Sequence, residues 1–358
     1  MNRLCKREWR GVAGAYLLLV LGSTPACGGD FELESRLRLT SGYDDNIFEE
    51  AREPTADEVV GFSFYLRAKS MRSDRRSLRL DYRGGYRKYL SCSAETRFVH
   101  EIEGRGKARL GSRGAVGVSS TVRFKHFPAS SRDSWRGLGE IWLQWIFFGE
   151  ISGKLYYGPS FLDYSTYEFF DYVDYEWGIS FCTRISPRLQ IGIGSSFNRI
   201  TYQRSALDYE EFVPEGLTEK AEEQIDHLYG IALFFEYYRG FFLRCDYSFE
   251  KDRSNSFGYS YRRHYVHLVL ARDFVYQSLI KVYSAVQFKS YLEPVEQLLL
   301  LNLDTEGEQD NLFVVELSRG VSSRWSAFVR FRWTKNESLV RDRLYEKRFT
   351  SIGMEYQF

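Results

Sequence analysis

The feature that most constrains this chain is an alternation of apolar and polar residues, held over long stretches and repeated to the last residue. "SLRLDYRGGYRKYL" places Leu78, Leu80, Tyr82, Tyr86 and Leu90 on one face and Arg79, Asp81, Arg83, Arg87 and Tyr89 on the other. "FFLRCDYSFE" sets Phe241, Leu243, Cys245, Tyr247 and Phe249 against Arg244, Asp246 and Glu250. "RWSAFVRFRWT" sets Trp325, Ala327, Val329, Phe331 and Trp333 against Arg330 and Arg332. A period of two belongs to strands with one apolar and one polar face. The pattern predicts about 16 strands, with roughly 14 to 18 compatible, most of them about 10 to 15 residues long; ordinary globular strands run about 5 to 6. A tilted strand needs about 9 to 11 residues to cross a bilayer.

The connections fall into two classes. "GSRG", "GE", "SPR", "RG" and "RGVSS" are tight, whereas 41–58, 128–136, 204–223, 292–309 and 336–343 are long or polar. Tight turns at one end and loops at the other fit an outer-membrane barrel, with periplasmic turns and extracellular loops. A soluble sandwich or propeller would also alternate, but its strands are shorter, and no propeller-length repeat occurs. The fold expected is therefore all-β: a transmembrane antiparallel up-and-down barrel.

Composition supports this at two points. Aromatic residues make up 17% of the chain and prolines number only 7; aromatic rings concentrate at membrane interfaces. The formal net charge of +1 gives no sign of a nucleic-acid partner. The N-terminus reads as an export signal. Arg3, Lys6, Arg7 and Arg10 precede the apolar run "GVAGAYLLLVLGS" and the small-residue stretch "TPACGG". The run is shorter than the roughly 20 residues of a spanning helix. Residues 1–26 are expected to be a cleaved signal peptide and 27–358 the barrel. Cys27 raises the question of lipidation, but Thr24 and Pro25 stand where a lipobox has an aliphatic residue and its neighbour. The three cysteines beyond it, Cys92, Cys182 and Cys245, are far apart and odd in number, against a disulfide framework; no CxxC pair marks a zinc site.

The last strand, "FTSIGMEYQF", alternates Ile352, Met354, Tyr356 and Phe358. It resembles the C-terminal strand of bacterial outer-membrane barrels, which in that family is what the barrel-assembly machinery recognises. A sheet in lipid must close on itself, because lipid offers no hydrogen-bond partners. The first strand, "FELESRLRLT", is expected to pair with the last, bringing Glu32, Glu34, Arg36 and Arg38 to Glu355 and Gln357.

About 16 strands enclose a water-filled lumen. The faces expected inside carry Arg67, Lys69, Arg79, Arg83, Arg87, Arg97, Arg105, Lys107, Arg109, Arg123, Arg244, Arg330 and Arg332. They also carry Asp81, Glu101, Glu103, Glu140, Asp174, Glu176, Asp226, Glu236, Asp246, Glu316, Glu346 and Glu355. Interspersed signs allow cross-strand ion pairs, which any solvated wall needs. They also allow selection by charge. The selectivity candidates are Arg79, Arg83, Arg87, Arg105, Arg109, Arg123, Arg330, Arg332, Glu101 and Asp246, and the enrichment of cations over 77–125 favours anions. The segment "RSALDYEEFVPEGLTEKAEE" at 204–223 reads as a loop, exposed or folded inward as an acidic constriction, with helix-like composition after Pro214.

The chain offers little for metal binding or hydrolysis. "DTEGEQD", Asp304 to Asp310, has its Gly307 at the fourth position, where an EF-hand needs glycine at the sixth. No metal site and no cofactor is expected. A barrel hydrolase needs Ser, His and an acid together. His264 and His267, three apart, point to opposite faces, and neither G-x-S-x-G nor HExxH occurs. No catalytic residue is expected.

"SGYDDNIF", Ser41 to Phe48, follows the first strand. Gly42, Tyr43, Asp44 and Asn46 resemble the G-Y-D-x-N pattern after the first strand of β-barrel porins of the porin-2 type. More distantly they resemble the C-terminal barrel of surface lipoprotein assembly modifiers, which carry a helical repeat domain that has no room here. The acids and Asn46 suit an Asx-turn, and Tyr43 and Phe48 suit a membrane interface.

The sequence thus points to a porin-like channel in the bacterial outer membrane for passive diffusion of small hydrophilic solutes. Its partners would be outer-membrane lipid and, during biogenesis, the assembly machinery, with a homo-oligomer left open. The alternatives are a barrel that exports or displays a polysaccharide or lipoprotein and, third, an outer-membrane hydrolase.

Overall fold

Strands this long satisfy their backbone groups only against neighbours, and here every strand has two. The computed structural model describes residues 31–73, 75–209, 216–293, 311–336 and 345–358. The signal segment 1–26, Cys27 and the acidic stretch 304–310 lie outside the described residues. Sixteen strands run in chain order: β1 Phe31–Asp44, β2 Asp57–Ser73, β3 Arg76–Tyr89, β4 Arg97–Leu110, β5 Gly114–His126, β6 Ser134–Ile146, β7 Ile151–Tyr164, β8 Tyr172–Ser186, β9 Leu189–Tyr209, β10 Leu217–Tyr238, β11 Phe242–Ser254, β12 Tyr261–Phe274, β13 Ser278–Tyr291, β14 Asn311–Gly320, β15 Trp325–Asn336 and β16 Tyr345–Gln357. Each pairs antiparallel with the next, and β1 with β16, so the sheet is a closed barrel. The all-β, 16-stranded fold expected from the alternation is the fold observed.

The register carries one residue parity around the whole barrel. Leu80, Ile102, Val122, Leu143, Leu233, Val329 and Ile352 stand on the outer face, many of them openly exposed. The opposite parity, with most of the charges, faces the lumen. At the seam Arg36 lies opposite Gln357 and Arg38 opposite Glu355. β16 ends there, so Glu32 and Glu34 pair instead with Lys69 and Arg67 of β2. Glu346, expected inside, is on the outer face. It accepts hydrogen bonds from Trp333 Nε1 at 3.0 Å and Arg348 Nη2 at 2.6 Å, outward residues of β15 and β16.

Two segments depart from the sequence reading. β1 continues through Ser41–Asp44, beyond the expected end of the strand, because Gly42 packs tightly on β16. A Cβ there would lie 2.6 Å from the Thr350 carbonyl oxygen. The larger departure is at 204–223. β9 and β10, of 21 and 22 residues, extend well past their neighbours as a hairpin, broken by irregularities between Glu219, Glu223 and Ile225. The helix-like residues 217–223 are strand. Propensity is a weak prior, and here β9 offers a ladder while Leu207, Leu217 and Tyr291 pack on buried Tyr259.

Candidate functional site

The lumen wall over β1–β5 and β14–β16 is built on one repeated unit: a buried carboxylate with two or three cations standing over it. Asp81 accepts from Arg67 Nε at 2.8 Å, Arg79 Nε at 2.5 Å and the Tyr65 hydroxyl at 2.7 Å. Glu101 is bridged by Arg83 and by Arg123, the latter at 2.5 Å. Glu103 is held by Arg105, with Arg83 at 3.6 Å. Glu316 joins Arg38 at 2.7 Å, Arg330, and Lys281 at 3.7 Å. The strands explain the clustering: Arg67 lies opposite Asp81, Arg83 opposite Glu101, and Glu101 opposite Arg123.

Burial divides the two signs. The four carboxylates are buried at the wall, whereas the side chains of Arg83, Arg105 and Arg123 are 48%, 59% and 44% exposed. The acids neutralise the wall in part, but what meets lumen water is guanidinium. Removing a cation from such a unit strands a buried charge, at a cost of about 3–5 kcal/mol where no second partner remains.

Acids gather next to this wall, on β6 and β8. Glu140, Asp174 and Glu176 line the same cavity of about 700 Å³ as Lys69, Arg79, Arg105 and Lys107. Lys154 spans the change of sign, bonded to Glu140 at 2.9 Å and lying over the Tyr156 ring. Trp142 occupies the wall because Gly117, opposite it, has no side chain; a Cβ there would meet the indole at 2.2 Å. Farther round, Asp246 is held by Arg244 at 2.8 Å and His267 at 3.2 Å. The cation excess therefore belongs to the wall of β1–β5 and β14–β16, whereas the rest of the lumen carries both signs, with Arg136, Arg244, Arg263 and Lys281 inward beside Asp174, Asp246 and Glu250.

The loop-bearing end is narrowed by 45–56, which folds inward. Ile47 is buried with Val59 and Tyr89. Asp44 accepts from the Tyr89 hydroxyl at 2.9 Å and lies 3.4 Å from Lys347 Nζ. Asn46 donates to the carbonyls of Glu50 and Glu346 at 2.9 and 3.0 Å and accepts from the Glu50 amide at 2.9 Å. Asp45 accepts from the Arg348 amide at 2.6 Å. The polar atoms of this stretch thus hold the loop to the barrel, and among the described residues no group of His, Cys, Asp or Glu could hold a metal. Phe48 lines a mouth cavity of about 320 Å³ rather than the membrane side expected for it. Arg87, Arg97, Arg132, Arg330, Arg332 and Lys347 line the same cavity.

The expected selectivity residues thus divide by position. Arg79, Arg83, Arg105, Arg123 and Glu101 come together on one wall, and Arg330 joins the neighbouring wall through Glu316. Arg87 and Arg332 are at the mouth. Arg109 lies at the short-turn end of β4, and Asp246 on the far wall. Sequence reasoning missed Arg132, bonded to Glu95 at 2.5 Å, and Arg204, because both cations belong to segments read as loops. Arg204 lies between the rings of Phe169, Tyr202 and Tyr259 at 4.7, 4.5 and 4.4 Å. Ile352, Met354 and Tyr356 face outward, and the Phe358 amide donates to the Ser35 carbonyl at 3.1 Å, tying the last residue to β1.

No family model matches the chain, and no curated protein matches it. Among solved structures it is similar to a loop-deletion mutant of OmpT, an outer membrane protein of Vibrio cholerae. That match has 9% identity and a TM-score of 0.45, covering 93% of this chain and 100% of the other. It is also similar to OccAB4 of Acinetobacter baumannii, with 10% identity and a TM-score of 0.46, covering 91% and 98%. The outer membrane protein opdK of Pseudomonas aeruginosa matches with 10% identity and a TM-score of 0.46, covering 91% and 99%. Likenesses at this level leave activity and solute open.

Proposed function

We propose that the protein is an outer-membrane channel for passive diffusion of small hydrophilic solutes, with a preference for anions. The observation that carries this reading is the division of the barrel wall: apolar side chains outside, and inside, buried carboxylates beneath exposed guanidiniums. An apolar outer face is stable only against lipid, and a charged inner face only against water. Arg79, Arg83, Arg105, Arg123 and Arg330 would supply the field, with Glu101 setting the spacing of its two arginines. Asp246, held by Arg244 and His267, would lie on the wall of mixed sign. No chemical step is part of the mechanism; filtering would be steric at the mouth and electrostatic below it. Residues 1–26 would direct export, and the strand ending in Tyr356 and Phe358 would be read by the assembly machinery.

Reconstitution of the purified chain in a planar bilayer tests this. Expected are discrete conductance steps and, in a salt gradient, a reversal potential of anionic sign. A sealed barrel would refute the channel, and cation preference would refute the selectivity.

A further inference from the structure

The outer face of the barrel is apolar over most of its circumference, but on β9–β12 it carries a cluster of cations at the loop-bearing end. Arg199 of β9 lies opposite His227 of β10, which lies opposite Arg253 of β11. Lys251 of β11 lies opposite Arg262 of β12. All share the parity of Ile231, Phe249 and Leu268, away from the lumen, and Arg199, Arg253 and Arg262 are exposed. None of the four Arg and Lys side chains makes an ion pair among the described residues. Elsewhere on the outer face such cations stand apart from one another: Lys88 on β3, Arg272 and Arg319 over the rings of Phe274 and Tyr276 at the short-turn end, and Arg348 paired with Glu346 at 2.6 Å.

Like charges directly across a ladder destabilise it, so the Lys251–Arg262 opposition is a cost unless an anion lies between them. Its height says which anion. These residues are nine to twelve positions from the short-turn ends of their strands. At about 3.3 Å per residue and a tilt of roughly 40° that is about 23–30 Å, the upper edge of an apolar band about 25 Å tall. Rings mark the same edge: Phe197 lies 5.7 Å from Trp177 and 5.2 Å from Tyr229, and Phe249 lies 5.0 Å from His264. Cations just above an aromatic girdle stand at the level of lipid headgroups.

We infer that Arg199, Lys251, Arg253 and Arg262 form a binding surface for the phosphates of an outer-leaflet lipid headgroup, whose acyl chains would lie on the rings below. This rests on the membrane reading above.

The test compares spin-labelled phosphatidic acid with spin-labelled phosphatidylcholine in phosphatidylcholine bilayers containing the folded full chain. The expected result is association of phosphatidic acid at least about fivefold stronger, the effect of one cation at a membrane surface, falling towards parity in R199Q/R253Q/R262Q and retained in R199K/R253K/R262K. Equal association of both lipids with the unsubstituted chain overturns the inference, whether or not the triple variant folds. So does an unchanged ratio in the glutamine variant. Loss of the preference on adding inorganic phosphate would assign the patch to the free ion and overturn the lipid. Absence of any motionally restricted lipid would instead sink the membrane reading itself.

Discussion

The Tyr89 hydroxyl donates to Asp44 Oδ2 at 2.9 Å, joining β3 to the end of β1 across 45 residues of sequence. Both side chains are buried, and Lys347 completes the carboxylate's surroundings at 3.4 Å. This contact anchors the loop that narrows the mouth.

Asp44→Ala therefore leaves the buried Tyr89 hydroxyl without its acceptor and takes from Lys347 one of its two carboxylates, Glu49 remaining at 3.3 Å. The expected loss is about 3 kcal/mol, read as a lower urea midpoint for unfolding. Combined with Asp45→Ala, it should lower folding yield more than it lowers conductance in the channels that do form. The reverse order would make this stretch part of the permeation path.

Arg87 and Arg332 face the mouth, and their contacts are to the Phe349 ring and the Thr334 hydroxyl rather than to an acid. R87Q/R332Q should preserve the unfolding midpoint while lowering the anion-to-cation permeability ratio by roughly twofold per charge, the scale of an exposed charge interaction. Reversal potentials check it.

Glu101→Gln should act in the opposite direction. It removes the anion beneath Arg83 and Arg123 and leaves two guanidiniums facing the lumen. Anion preference should rise, while stability falls by about 1–3 kcal/mol. A ratio that moves towards cations would contradict the assignment of signs on this wall.

Arg204 donates through Nε to Gln224 Oε1 at 2.8 Å and is enclosed by three rings. Arg204→Ala should loosen the β9–β10 extension by about 2–4 kcal/mol, the combined scale of a buried hydrogen bond and a desolvated cation–ring contact. Limited proteolysis should then cut the hairpin before the barrel unfolds.

Asp133 supplies a pH dependence outside the strands. Burial disfavours its charged form, but the Phe127 amide at 2.8 Å and the His126 ring at 2.8 Å outweigh that and hold its carboxyl below the usual range. A carboxyl depressed by folding contributes stability above its ordinary value and loses it as pH falls through the folded one. Closure of the 127–133 loop should weaken only in that acid range. Asp133→Asn should remove the acid-range step, as followed by proteolytic cleavage of the loop.

Much of the lumen was legible because parity is local. Arg79, Arg83, Arg105 and Arg123 were assigned to the inner face from their own strands, and the ladders carry that parity round the barrel. Glu346 was misassigned on its charge: counted back from Ile352, Met354 and Tyr356 it falls on the outer face, where at the loop-bearing end of β16 Trp333 and Arg348 satisfy its carboxylate. The mouth was hidden for a different reason. Arg132 pairs with Glu95 across 37 residues and Asn46 bonds Glu346 across 300, and nothing near either residue announces such a partner.

The sequence alone determined that the chain forms long two-faced strands, about how many, and which end carries the loops, since a period of two and turn spacing are properties of consecutive residues. Tertiary structure decided the rest. Closure set Arg38 against Glu355 and sent Glu32 and Glu34 to β2. Strand pairing turned residues 217–223 from a helix-like composition into half of a hairpin. The inward fold of 45–56 made SGYDDNIF a fastening of the mouth. Each of these depends on partners far apart in the chain, and their hydrogen bonds and burial outweigh what local composition prefers.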